Sequence, residues 1–141
     1  MDYRRFNDTI ILRIDRGEEI IETVKTVAEK EHIRLASVEA LGATDDFTVG
    51  VYDVPTKHYD QKTFSGAHEI VSLTGTITEK DGAFYQHLHM SAGNKNCEVV
   101  GGHLNRATVS ATCEMVIRIL DGAVDRRTDP EIGINLLRFT D

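Results

Sequence analysis

The sequence predicts an α+β fold in which one main helix packs on a large, mainly antiparallel sheet. Two observations carry this prediction. Apolar residues recur at helical spacing in only one segment, residues 17–31, and most of the chain after it reads as strands. These strands are separated by short turn signals such as Asp81-Gly82 and Asp121-Gly122, which join antiparallel neighbours.

The first strand and the helix follow from their periodicity. In residues 8–15 the aliphatic residues Ile10, Leu12 and Ile14 occupy alternate positions, as in a strand with one buried face. From Gly17 the apolar side chains share one helical face, and charged side chains cover the other. Acidic residues in the first turn and Lys30 in the last turn favour this helix through its dipole.

Further strand-like segments complete the predicted sheet. They are residues 34–41, 47–54, 59–64, 69–78, the histidine-bearing segment after Gly82, and residues 99–104, 108–120 and 134–139. Gly75 interrupts one of them and predicts a bulge. One helix leaves faces and edges of such a sheet uncovered, so we expect self-association. Phe84, Leu88 and Met90, which alternate along one strand, are the apolar surface expected there.

Composition limits the class of protein and its partners. The 141 residues form one predicted domain, residues 1–141. The net charge of -7, from 16 Lys and Arg against 23 Asp and Glu, disfavours nucleic-acid binding, which needs clustered cations. No apolar run approaches the ~20 residues of a membrane span, and the N-terminus has no secretory signal. We therefore expect a cytoplasmic protein without a membrane partner.

Three histidines form the most informative pattern in the chain. His87 and His89 lie two residues apart, so on a strand both imidazoles leave the same face. His103 follows Gly101-Gly102, and glycine allows another backbone to approach closely. Three neutral imidazoles with an open fourth position are a known form of zinc site. The pattern predicts a divalent metal, zinc by preference; the alternative is three ordinary polar positions on a half-exposed sheet.

Other side chains are candidates for the surroundings of such a site. Glu69 and Glu114 are weak candidates for a catalytic role, because a carboxylate can orient a metal-bound imidazole or act as a general base. The alternative for each is a cross-strand ion pair. His68 is a candidate fourth ligand or a solvated strand residue, and Arg13 and Arg118 are candidates for anion binding or for ion pairs on the sheet.

Several short motifs follow one another along nearly the whole chain. They are Arg16-Gly17-Glu18-Glu19, Leu41-Gly42-Ala43, residues 69–75, Asp81-Gly82, His87-Leu88-His89, Gly101-Gly102-His103-Leu104 and the strand that contains Glu114. In this order they resemble the PPC domain (plants and prokaryotes conserved) in its compact prokaryotic single-domain form. The resemblance implies one main helix on an antiparallel sheet and a homotrimer. It also implies that His87, His89 and His103 match the metal-binding set of prokaryotic members one for one.

The resemblance to plant members is weaker at the residues linked to their role. In plants the domain is attached to AT-hook motifs and acts in DNA-linked regulators, with Gly-Arg-Phe-Glu-Ile-Leu at the position of residues 66–71. This chain has Gly-Ala-His-Glu-Ile-Val there and contains no AT-hook motif. Nucleic acid is therefore not the partner that the sequence predicts.

The sequence leaves three functions open. The first is a small trimeric metal-binding protein with a regulatory or ligand-binding role, for which a small anion is the candidate ligand. The second is a DNA-binding or protein-interaction module like the plant relatives. The third is a metal-dependent hydrolase or lyase that acts on a small substrate. No nucleophile motif or phosphate-binding loop occurs in the chain, so the sequence does not decide whether the protein is an enzyme.

Overall fold

The structure, a computed structural model, describes residues 1–139, which form eight strands and one helix. Their bounds are β1 Asp2–Phe6, β2 Thr9–Asp15, α1 Ile20–Lys30, β3 Ala36–Asp53, β4 His58–Lys80, β5 Ala83–Gly93, β6 Val99–Ile119, β7 Asp125–Thr128 and β8 Asn135–Arg138. The mainly antiparallel sheet with a single short helix is confirmed. The domain end predicted at residue 141 lies outside the described residues. Within residues 1–139 no helix has the length and apolar character needed to cross a membrane.

Six strands form the main sheet in the order β1-β2-β6-β3-β4-β5, and every neighbouring pair is antiparallel. The last strand, β5, also pairs with the beginning of β6, from Gly93 opposite Val99 to His89 opposite His103. This extra pairing closes β6, β3, β4 and β5 into a ring. The two remaining strands, β7 and β8, form a separate hairpin that packs on β4.

Three of the strands each unite two segments that the sequence predicts to be separate. The united pairs are 34–41 with 47–54 in β3, 59–64 with 69–78 in β4, and 99–104 with 108–120 in β6. The predicted breaks are therefore wrong. In the β3–β4 pairing the polar interruption is absorbed by irregularities at Ala40/Gly42 and Thr44/Asp46. Bulges of this kind bend a strand without ending it.

The bulge predicted at Gly75 is also wrong, because this residue lies in regular register opposite Leu88. The irregularity in the β4–β5 pairing falls instead between Ile70 and Ser72. A Cβ on Gly75 would clash with the backbone carbonyl of His87 and lie 2.8 Å from the Leu88 Cα. Glycine is needed at this position because the two strands approach each other too closely for a side chain.

The helix is fixed at its N-terminus by Glu19. The carboxylate of this N-cap residue accepts a hydrogen bond from the Glu22 N–H at 2.8 Å and another from the Ala107 N–H of β6 at 2.9 Å. The buried face of α1 joins Leu88 and Met90, which are 1% and 2% exposed, in the core of the protomer. The prediction that this strand face serves self-association is therefore wrong, since the chain's own core already covers it.

The opposite face of the sheet is open to solvent outside the area that the β7–β8 hairpin covers. A row of directly opposed residues crosses it from β2 through β6, β3 and β4 to β5; its members are Ile11, Val116, Glu39, Thr74 and His89. Four of the large apolar side chains on this face lie close together and are between 36% and 59% exposed, namely Ile11, Leu41, Val71 and Val116. They line a shallow groove. We refer to these four residues and the groove as the outer face.

Candidate metal centre

The three histidines meet where β5 and β6 close the ring. His89 lies directly opposite His103 in the β5–β6 pairing, and side chains of directly opposed residues leave the same face of a sheet. His87 precedes His89 by two residues and therefore shares that face. The arrangement follows from the alternation along β5 and from the register of the closing pair.

The ring nitrogens are close enough to share one ion. The Nε2 atoms of His87 and His89 are 3.1 Å apart, and the three ligand nitrogens all lie within 4.8 Å of one another. Two nitrogens bound to a tetrahedral zinc at 2.0–2.1 Å lie about 3.3 Å apart. The His87–His89 pair is thus near the required spacing, and His103 needs a shift on the order of 1 Å, within the reach of side-chain rotation.

Burial and mutual proximity keep the imidazoles of His87 and His103 neutral. Burial, followed by the charges of His103 and His89 and then of Arg126, lowers the pKa of His87 from its ordinary 6.5 to about 4. The pKa of His103 is lowered by burial and then by His89. Metal ions bind neutral imidazole, so at pH 7 these two ligands are already in the form that a metal requires.

Aromatic and polar groups form the walls around the histidines. The ring of Tyr59 meets His103 edge-on, with centroids 6.1 Å apart, and its hydroxyl donates to Asn105 Oδ1 at 2.6 Å. On β4 the residues opposite His89 and His87 are Thr74 and Thr76. Neutral groups therefore surround the ligands on these two sides.

A cationic residue approaches from the C-terminal hairpin. Arg126 on β7 is only 5% exposed, and its guanidinium lies over the ring of Tyr85 at 4.7 Å. Its Nη2 lies 3.5 Å from the Thr76 hydroxyl, next to the position of His87. The sequence gives only an Arg126-Arg127 doublet, which carries no signal that one of the two is buried beside the histidines.

The two predicted carboxylates do not join this cluster. Glu114 is in register with Leu41 on β3, three strands from β5 across the sheet, or about 14 Å at ordinary strand spacing. Glu69 lies on β4 five residues from Thr74, the residue opposite His89, which corresponds to roughly 16 Å along the strand. Among residues 1–139, the one histidine–carboxylate ion pair is His58–Asp60, outside the cluster.

The remaining candidates also lie elsewhere. The Nδ1 of His68 is 2.7 Å from the Gly66 carbonyl oxygen, its ring meets Phe47 edge-on, and it does not belong to the group of potential ligands. Arg13 forms an ion pair with Asp15 at 2.7 Å. Arg118 lies exposed on β6, opposite Thr9. The donor set of the described residues at this place is therefore three imidazoles, which matches zinc sites with an open fourth position.

Solved structures of similar proteins cover almost the same length of chain. A Bacteroides thetaiotaomicron protein that is provisionally named DNA-binding shares 28% identity at a TM-score of 0.95, over 98% of this chain and 96% of its own. A metal-containing protein from Archaeoglobus fulgidus shares 29% identity at a TM-score of 0.86, over 99% of both chains. A plant- and prokaryote-conserved protein from Pyrococcus horikoshii shares 26% identity at a TM-score of 0.85, over 99% of this chain and 95% of its own.

The family of the chain follows from its own sequence as well. No curated protein matches it. Residues 1–121, however, match the family model of the Plants and Prokaryotes Conserved domain, abbreviated PCC or PPC. This match includes the helix, the ring of four strands and all three histidines. The chain therefore belongs to the Plants and Prokaryotes Conserved (PCC) domain family.

Proposed function

We propose that this protein binds one divalent metal ion, zinc by preference, through His87, His89 and His103, and uses the site for ligand binding in a regulatory role. The observation that carries the proposal is the convergence of three ligand nitrogens within 4.8 Å of one another. When bound, such an ion supplies a Lewis acid with a coordination position for an exogenous ligand. The metal-containing relative from Archaeoglobus fulgidus supports a metal site in this fold.

Binding fits the site better than hydrolysis. A metal-dependent hydrolase needs a general base or a group that orients the attacking water. The charges that shift the pKa of His87 belong to two imidazoles and a guanidinium, and none is negative. The tyrosine and threonine groups beside the ligands are neutral and weak bases. We therefore place the hydrolase or lyase second to a ligand-binding role.

A DNA-binding role has less support from this chain. Two of the similar bacterial structures are provisionally named DNA-binding, but the net charge here is -7. Several exposed basic side chains are also paired with acids, among them Arg34 with Glu79 and Arg5 with Glu31. Phosphate contacts depend on free clustered cations.

Self-association is part of the proposal. The outer face exposes four large apolar side chains (Ile11, Leu41, Val71 and Val116) beside charges of both signs, among them Glu39 and Arg118. A face that combines apolar groups with both charges suits a second copy of the same chain. We propose that copies meet on the outer face in a homotrimer, the assembly that the family resemblance implies.

Metal analysis of protein made without a histidine tag tests the metal site. We expect about one equivalent of zinc per chain after loading and desalting, as one shared three-histidine site requires. The His89→Ala variant should lose this metal, whereas the matched control His58→Ala, at an exposed histidine outside the cluster, should keep it. Wild-type protein that stays metal-free after zinc loading would refute the proposal.

A further inference from the structure

Arg126 is a buried cation whose hydrogen-bond partners among residues 1–139 are all neutral. Its Nε donates to the Thr78 hydroxyl at 2.9 Å and its Nη1 to the Asn135 carbonyl at 3.0 Å. The third contact is the longer one to Thr76 at 3.5 Å, and Tyr85 covers one face of the group. Buried charges in proteins are ordinarily paired with an opposite charge.

The acidic residues of this region are committed to other groups. Glu79 pairs with Arg34 at 2.9 Å. The carboxylate of Asp125 accepts a hydrogen bond from the Asp81 N–H at 3.0 Å. Among residues 1–139, no carboxylate lies within ion-pair distance of the Arg126 guanidinium, as the ion pairs of the structure show. Residues 1–139 therefore provide no counter-charge for this cation.

The position of Arg126 relates it to the candidate metal centre. Thr76, which its Nη2 approaches, lies directly opposite His87 on the neighbouring strand. A divalent ion on the histidines would place two more positive charges beside the guanidinium and increase the local excess of positive charge. A bound anion would neutralise part of the charge of the ion and part of the charge of the guanidinium at the same time.

We infer that the three histidines and Arg126 form one site that takes a small oxyanion together with the metal, with the guanidinium as the anion's counter-charge. This inference rests on the proposed metal-binding function and names the class of ligand, a carboxylate or a phosphate. A guanidinium has five N–H donors, of which three are used here. Its planar fork suits the oxygens of either anion.

Arg126, the counter-charge in this inference, lies in a part of the chain that the family model does not cover. The match ends at residue 121, whereas β7 and β8 begin at Asp125 and Asn135. The side chain of Asn135 also approaches the Tyr85 hydroxyl, at 3.4 Å. Asn135 thus contacts both the guanidinium, through its backbone carbonyl, and Tyr85 on β5, the strand that carries His87 and His89.

Binding of Co²⁺ to the untagged full chain tests the inference. The visible absorption of bound Co²⁺ and titration calorimetry give the metal affinity alone and with acetate or methylphosphonate. We expect one of these anions to tighten the binding of Co²⁺ to wild-type protein by about 5- to 50-fold. In the Arg126→Gln variant the same anion should tighten it by no more than about twofold. Without anion the variant should bind Co²⁺ more tightly than wild type, because the repulsion is gone.

Two further variants make the test independent of the folding of Arg126→Gln. Asn135→Asp is nearly isosteric and introduces a carboxylate at the residue whose backbone carbonyl accepts the Nη1 hydrogen bond of Arg126, so it should weaken the anion coupling while Arg126 remains. Arg127→Gln, at the exposed neighbouring position, is the matched control and should keep it.

The outcomes separate the two proposals. Wild-type protein that binds no Co²⁺ overturns the metal site itself. Two results would overturn the role of Arg126 and leave the metal site standing. In the first, neither anion tightens the binding of Co²⁺ to wild-type protein. In the second, an anion tightens this binding in Asn135→Asp as much as in wild type. A response to acetate alone identifies a carboxylate ligand, and a response to methylphosphonate alone identifies a phosphate ligand.

Discussion

Acid should destabilise the metal-free protein through His87, and the size of the effect can be worked out from its pKa. In the unfolded chain the pKa is 6.5, and in the folded protein it is about 4. Between these values the unfolded state binds more protons than the folded state, so stability falls as the pH falls. The loss begins near pH 6.5 and is complete near pH 4.

The difference in pKa corresponds to about 3 kcal/mol at 1.36 kcal/mol per pH unit. The ring of His87 is partly exposed, so solvent screening reduces this figure, and we expect a loss of about 1.5–3 kcal/mol in the free energy of unfolding. Carboxylates such as Asp46, whose pKa is lowered by its hydrogen bonds with Arg106, also lose stabilisation in acid. These carboxylates contribute equally to wild type and to the His87→Asn variant, so their contribution cancels when the two proteins are compared.

The assay is urea unfolding with a chelator present, at pH 7.5 and at pH 4, on wild type and His87→Asn. We expect the variant to lose about 1.5–3 kcal/mol less than wild type between the two pH values. His32→Asn is the control: His32 is exposed and has a positive φ of 54°, which asparagine tolerates well, and it should behave like wild type. Equal pH dependence in wild type and His87→Asn would refute this account of the partly buried imidazole.

Three substitutions test the sheet. Gly75→Ala should lower the free energy of unfolding in urea by about 1–3 kcal/mol and weaken Co²⁺ binding, because the added Cβ forces β4 and β5 apart. Gly93→Ala is the control, since the nearest atom to a Cβ there is 3.6 Å away, and equal losses in the two variants would contradict this reason. Leu41→Asp should shift the mass in light scattering from trimer to monomer while Leu120→Asp, also at an exposed leucine, does not; a trimer in both variants excludes the outer face as the interface. Leu88→Asp should abolish folding rather than merely dissociate the protein, since the charge enters the core; a folded monomer by circular dichroism would contradict the burial of this residue.

The sequence predicts the elements that have strong local signals. The alternation in residues 8–15, the amphipathic helix and the Asp81-Gly82 turn all correspond to observed elements. The turn shows positive φ at both residues, 54° and 77°, as its composition predicts. These features depend on a few neighbouring residues, so the sequence alone is sufficient.

Features that depend on distant parts of the chain are missed. β1 has no alternation that separates it from a loop, and it exists because its residues pair with β2. The continuity of β3, β4 and β6 depends on partners that hold the polar interruptions in register. The burial of Leu88 could not be read from β5 alone, since either face of a strand can be the core face until the helix is placed.

The candidate site also combines residues that local sequence patterns predict with residues that only the packing of distant segments reveals. His87 and His89 are predictable as a pair from their spacing, and the glycines before His103 favour a close approach. The exact partner of His103, His89, is decided by the register of the closing strands. Arg126 comes from a short hairpin with no pattern of its own, so only the packing of β7 on β4 reveals it.

The placement of all three histidines on the single β5–β6 hairpin has a consequence for folding. The segment from His87 to His103 is 17 residues long, and closing a loop of this size costs a flexible chain about 2.5 kcal/mol beyond a constant contribution. An unfolded or newly synthesised chain can therefore gather the same ligands around an ion before the helix and the other strands are in place. Because the ion then has affinity for the unfolded chain as well, it should raise the melting temperature by less than its affinity for the native protein implies.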